Sequence, residues 1–101
     1  MIRHSVYFAF APGATAADRE QHIADFGSLP ERISEIRRYE YGLGVSDPDS
    51  GSGPRYDVAH YLDFADAESL KRYIRHDAHQ EFIARNKGSW DSVMVVDSEI
   101  Q

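Results

Sequence analysis

The chain has 101 residues, 28% of them charged and 42% hydrophobic, with a formal net charge of −6 and no cysteine. That length suits one domain over residues 1–101, able to bury roughly 60 to 70% of its unfolded surface without covalent staples. The missing thiols exclude disulfides, a thiolate nucleophile and a zinc ribbon, and the acidic balance lacks the basic stripe that nucleic acid demands, which leaves a small molecule or another protein as partner and the cytoplasm as the expected location.

In Ile2 to Phe10, the residues Ile2, His4, Val6, Phe8 and Phe10 alternate with Arg3, Ser5, Tyr7 and Ala9, a period of two that predicts a first strand ending at Pro12-Gly13. Arg3 and His4 interrupt any apolar run, so neither a signal peptide nor a membrane span is expected. His4 shares the core face of Phe8 and Phe10. Thr15 with Asp18 forms a capping box carrying Asp in place of Glu or Gln, and predicts a helix over Ala16 to Gly27 anchored by Ile23 and Phe26. His22 lies beside Phe26 at i, i+4 and is assigned to the surface, as is His76. Pro30 breaks this helix, Ile33 and Ile36 anchor a further turn, and Tyr39, Tyr41, Leu43 and Val45 form a second strand.

Asp47 to Pro54 is rich in Asp, Ser, Gly and Pro and is expected to be an exposed connector. In the third strand, Tyr56 to Phe64, His60 alternates in phase with Val58, Leu62 and Phe64 and so faces the core. Asp66 caps a second helix whose inner face carries Leu70, Tyr73 and Ile74. The run Arg72 to Ile83 then bends it; with Asp77 as the cap of a new turn, His79, Phe82 and Ile83 share one face at i, i+3 and i+4. Gly88 closes that helix, and Trp90 leads into Val93 to Val96, a last strand apolar on both faces and therefore placed in the middle of the sheet.

Strand, helix, strand, strand, helix, strand is the α+β, ferredoxin-like split βαβ order: a four-stranded antiparallel sheet with its helices on one face. The other face, with Tyr7, Ala9, Ala59 and Tyr61, then has nothing to cover it, and a second sheet packed against it would make a homodimer with a barrel between protomers.

The opening M-I-R-H-x-V-x-F-x-F, the L-P-x-x-I-x-x-I segment, the Y-D of strand three, H-x-A-H-x-x-F and the terminal V-V-D resemble, in order and spacing, the Dabb family of stress-responsive dimeric α/β-barrel proteins, nearly end to end. That family includes plant stress proteins without assigned chemistry, a plant hydroxynitrile lyase, and a polyketide cyclase that makes olivetolic acid by intramolecular aldol condensation. The resemblance implies that His79 and Tyr73 stand where the cyclase has its acid/base histidine and tyrosine, and His4 where it has a pocket histidine. Asp77 departs from the usual proline of the family. Val58 stands where a histidine is common, with His60 two positions further on, and Phe26 replaces a tyrosine of the cyclase.

His4, His60 and His79 are thus expected to point into one space between sheet and helices, with Tyr73, Phe26 and Trp90 near its rim. An imidazole titrates near neutral pH and a phenol can polarise a carbonyl, so His79 with Tyr73 suits proton removal next to a carbonyl, while His4, His60, Phe26 and Trp90 bind the substrate. Three imidazoles could instead hold zinc or copper, but no supporting carboxylate is evident on that face, so neither metal nor cofactor is expected. The competing readings are a non-catalytic, stress-responsive ligand-binding or structural dimer, and a cofactor-free monooxygenase acting on an electron-rich aromatic substrate.

Overall fold

The computed structural model describes residues 1–45 and 55–101, and the connector expected at 47–54 lies outside the described residues. Strand β1 (Ile2–Phe10) is followed by helices α1 (Ala16–Gly27) and α2 (Leu29–Arg32), strands β2 (Arg38–Leu43) and β3 (Val58–Phe64), helices α3 (Ala67–Arg75) and α4 (Asp77–Asn86), a short 3₁₀ turn at Lys87–Ser89 and strand β4 (Trp90–Glu99). The sheet order is β2-β3-β1-β4 with every neighbouring pair antiparallel. β3 is thus inserted between β1 and β2, which run in the same direction, and this is the split βαβ arrangement of the ferredoxin-like fold.

Local chemistry explains the helix boundaries. Thr15 accepts from the Asp18 backbone N–H while the Asp18 carboxylate accepts from that of Thr15, so Asp completes the capping box although its side chain is one methylene shorter than Glu. Pro30 opens α2 in its first turn, where a missing N–H costs nothing, and the end of α1 is set at Ser28, which caps the preceding carbonyls. Asp66 caps α3 through the Ser69 N–H. The start of α4 corrects the assignment of Asp77: the cap is His76, whose Nδ1 accepts from the Ala78 N–H at 3.0 Å, and Asp77 is the first helical residue. α4 ends at Asn86, before Gly88, because the chain tightens into the 3₁₀ turn.

The core lies between the helices and the sheet face built from Val6, Phe8, Phe10, Val58, Leu62 and Phe64, sealed by Phe26, Leu29, Ile33, Tyr73 and Phe82. At the far end of β2, Gly44 donates to the Asp57 carbonyl, and a Cβ there would stand 2.0 Å from the Tyr56 carbonyl oxygen, so only glycine permits this approach. β4 is not central. It is an edge strand beside β1, and Val93, Met94, Val95 and Val96 are between 41% and 51% exposed. An apolar strand with both faces open reads in sequence like a strand buried on both faces, because the run of β-prone apolar residues is the same in the two cases. On the helix-free face Tyr7 meets Tyr56 and Tyr61 edge-on at 5.0 and 6.2 Å, and Arg3 holds the Asp63 carboxylate with two hydrogen bonds.

Candidate functional site

Where β1 and β4 diverge from α3 and α4, a half-open cavity of about 300 Å³ remains. Its walls are apolar: Val6 and Phe8 from β1, Phe26 from α1, Ile74 from α3, Phe82 and Ile83 from α4, and Trp90, Val93 and Val95 from β4. Four polar side chains line the same space, His4, Tyr73, His79 and Asp97. The alternation of each strand and the i, i+3, i+4 spacing of α4 place them there. His4 and Asp97 are paired residues on neighbouring strands, and His79 lies one turn before Phe82 and Ile83.

The geometry sets the proton on each ring. His4 Nδ1 bonds the Asp97 carboxylate at 2.5 Å, which makes Nδ1 the donor and leaves Nε2 as the second polar atom of the ring. His79 Nδ1 lies 3.0 Å from the Ile74 carbonyl, an acceptor only, so this nitrogen carries the hydrogen and a neutral ring has its lone pair on Nε2. Burial pushes the His79 imidazole below its ordinary range, reinforced by His4 and His76 and opposed by the Ile74 carbonyl. Between these histidines sits Tyr73, fully buried, with ring centroids 4.6 Å from His79 and 5.7 Å from His4. Among the described residues its hydroxyl is the one buried side-chain oxygen or nitrogen without a hydrogen-bond partner, and burial raises its pKa far above the ordinary phenol range, so the proton stays on the oxygen.

His60 is buried as expected but is not in this space. Its Nδ1 meets the Tyr39 hydroxyl at 2.9 Å and its Nε2 meets His22 Nε2 at 3.0 Å. The assignment of His22 to the surface is therefore wrong: it is fully buried, and its Nδ1 accepts from Trp90 Nε1 at 2.9 Å. Two buried imidazoles satisfy each other, which makes an inward-facing His22 affordable on an otherwise apolar helix face. Burial lowers the pKa of both, His22 to about 4. Phe26 and Tyr73 also differ from expectation in depth, since both are buried in the cavity wall and floor and not at its rim, while Trp90 is half-buried at its edge.

Asp97, Tyr39 and His22 are the residues of this region that the sequence reading did not single out. Asp97 had a signal, since it is in phase with Val93 and Val95 on β4 and faces His4 across the ladder; it is the carboxylate thought missing from that face. With His60 diverted, His4 and His79 remain, and among the described residues no group of three or more His, Cys, Asp or Glu side chains is placed to hold a metal ion.

Comparisons with known proteins agree with this architecture. The family described as the stress responsive A/B barrel domain, Dabb, matches residues 2–100. An uncharacterised protein of Streptomyces coelicolor is 34% identical over 95 residues, covering 89% of this chain and 93% of that protein. A dimeric ferredoxin-like protein of unknown function from Thermobifida fusca superposes with a TM-score of 0.82 at 23% identity, over 98% of this chain and 90% of that one. Hydroxynitrile lyase from Passiflora edulis gives a TM-score of 0.88 at 17% identity, over 99% and 93%. At such identities the two structures establish the fold, whereas the family match spans nearly every residue and is joined by a relative of one-third identity. The chain belongs to the stress responsive A/B barrel domain family.

Proposed function

We propose that this protein is a cofactor-independent acid/base lyase or cyclase acting next to a carbonyl, with His79 as the base and Tyr73 as the hydrogen-bond donor, and that it works as a homodimer. The observation that carries this reading is the Tyr73 hydroxyl: buried, protonated and without a protein partner, on a ring that packs against two imidazoles and lines the cavity. A buried hydroxyl left unpaired costs about 1 to 3 kcal/mol, so a ligand oxygen that accepts from it recovers that amount. Among the described residues the cavity lining contains no lysine or arginine, and Asp97 is its one carboxylate, which disfavours an anionic ligand and suits a neutral, aromatic carbonyl compound.

In an aldol-type cyclisation, His79 Nε2 takes a proton from the carbon beside a carbonyl whose oxygen accepts from Tyr73. The electron pair enters the enolate, its carbon attacks a second carbonyl of the same molecule, and the imidazolium returns the proton to the new alkoxide. In a cyanohydrin the same base takes the hydroxyl proton, the bond to the nitrile carbon breaks with its electrons on cyanide, and the imidazolium converts cyanide to hydrogen cyanide. Similarity to a hydroxynitrile lyase makes the second substrate worth assaying first. His4, oriented by Asp97 through Nδ1, turns Nε2 toward the cavity as an acceptor for a substrate hydroxyl, and Phe26 and Trp90 flank the substrate ring.

Turnover of mandelonitrile and of a linear aromatic β-polyketone, measured on wild type, His79→Ala and Tyr73→Phe, tests this. His79→Ala is expected to lose roughly 10²- to 10⁴-fold in rate, the usual contribution of a positioned acid or base. Ligand binding without turnover in any of the three proteins would establish the non-catalytic reading in its place.

A further inference from the structure

Trp90, His22, His60 and Tyr39 form a continuous chain of hydrogen bonds from β4 through α1 and β3 to β2, at 2.9, 3.0 and 2.9 Å. The chain can run in one direction only. An indole N–H is solely a donor, so His22 Nδ1 must accept and carries no hydrogen. A neutral His22 then has its hydrogen on Nε2 and donates to His60 Nε2. His60 in turn carries its hydrogen on Nδ1 and donates to the Tyr39 oxygen. One extra proton breaks the chain wherever it lands: on His22 it puts an N–H against the indole N–H, and on His60 it sets two N–H groups face to face unless His22 turns its own hydrogen toward Trp90.

This chain is packed directly behind the cavity. The His60 ring lies on Phe26 at 3.6 Å and 4°, and Phe8 meets His22 at 4.5 Å and Trp90 at 4.7 Å. Phe8, Phe26 and Trp90 are three of the cavity walls. We propose that His22, His60 and Tyr39 are positioning residues for the cavity: in the neutral form their one-way chain clamps the Trp90 indole as a wall of the ligand site, and protonation of the histidine pair releases it. The proposal rests on reading the cavity as a ligand site, and makes that site sensitive to acid.

The groups around the pair leave little to offset a proton there. On α1, Asp25 lies one turn after His22 but is held by Arg85 and Asn86 of α4, and Arg19, one turn before, has its guanidinium over Phe10. β2 contributes the phenols of Tyr39 and Tyr41, while β1, α4 and β4 meet the two rings with Phe8, Phe10, Phe82 and Trp90. Desolvation accordingly keeps both imidazoles neutral well into mild acid.

Trp90 is the only tryptophan of the chain, so its emission reports this one contact. Titrated from pH 8 to pH 3, wild type is expected to show an emission transition below the ordinary histidine range, centred near pH 4, while far-UV circular dichroism is unchanged. The double variant His22→Gln, His60→Gln keeps a carbonyl to accept and an amide to donate at each position but cannot titrate, and should show no transition. Calorimetric binding of acetophenone, which has no ionisable group, should weaken by about tenfold between pH 7.5 and pH 3 in wild type, the effect of passing about one pH unit below the His22 value of about 4, and far less in the double variant, where His79 alone of the shifted histidines still faces the ligand. Independently of any variant, ¹⁵N spectra of wild type at pH 7.5 should give His22 as the Nε2–H tautomer and His60 as Nδ1–H. The opposite tautomers, or an emission change that coincides with loss of helix signal, would overturn the proposal. Acetophenone that fails to bind at any pH would instead remove the ligand site, with the emission transition and tautomers still deciding whether the clamp exists.

Discussion

At the scale of single residues, Tyr73 puts stability and activity in opposition. Its hydroxyl has no protein partner in a fully buried position, so Tyr73→Phe keeps the ring contacts with Phe64, His4 and His79 and removes an unpaired polar group. Urea denaturation should show that variant to be as stable as wild type or more stable by up to about 1 to 3 kcal/mol, while the turnover assay shows a loss. A loss of both would mean that the hydroxyl has a structural partner. His79 sets the acid limb of any pH profile. Its imidazole is a base only when neutral, and burial has lowered its pKa from the ordinary value near 6.5, so kcat/KM should hold level down through that value and fall only in more acidic solution. Asp97→Asn cannot become a carboxylate for His4, and its effect should appear in KM more than in kcat, since His4 is assigned to binding.

At the scale of elements, the helix caps and the seam between α1 and β3 make separate demands. Thr15→Ala removes the oxygen that accepts from Asp18 and should cost about 0.5 to 2 kcal/mol by thermal unfolding, without altering the cavity. The seam responds to pH. His22 and His60 have folded pKa values below those of the unfolded chain, so the unfolded state binds more protons in acid; stability is full above about 6.5 and declines as pH falls toward the folded value, about 4 for His22. Chemical denaturation at pH 7.5 and pH 5 should show this decline in wild type and a smaller one in His22→Gln. Strand phase, caps and turn residues made the element order legible in sequence, and the same phase brought His4, Tyr73, His79, Phe26 and Trp90 to one cavity. What phase could not reveal was partnership. It turned His60 inward correctly, yet whether His60 faced the cavity or another histidine depended on which side chain met it from α1. His22 was misjudged for the same reason, because a polar residue on a helix reads as exposed until its partner on another element is known.

At the scale of the whole molecule, the helix-free sheet face and the outer edge of β4 are the surfaces a second copy would cover. Tyr7 and Tyr61 on one and Met94 and Val96 beside them form an apolar area that a lone chain leaves to water. Light scattering at micromolar concentration should give the mass of a dimer. Tyr61→Lys, which places an unpaired charge in that contact at a cost of several kcal/mol, should dissociate it or precipitate. The exposed edge also bears on how the chain survives its own synthesis. Val93 to Val96 is a short β-prone run with open backbone hydrogen-bonding groups, the kind of template on which strands from many chains can stack into fibrils. Asp91 and Asp97 bracket it with negative charge, as gatekeepers do. Asp97 would then guard against aggregation in the newly made chain before it ever orients His4 in the finished one, and replacing it with asparagine should lower the soluble yield on refolding even where the folded protein is unharmed.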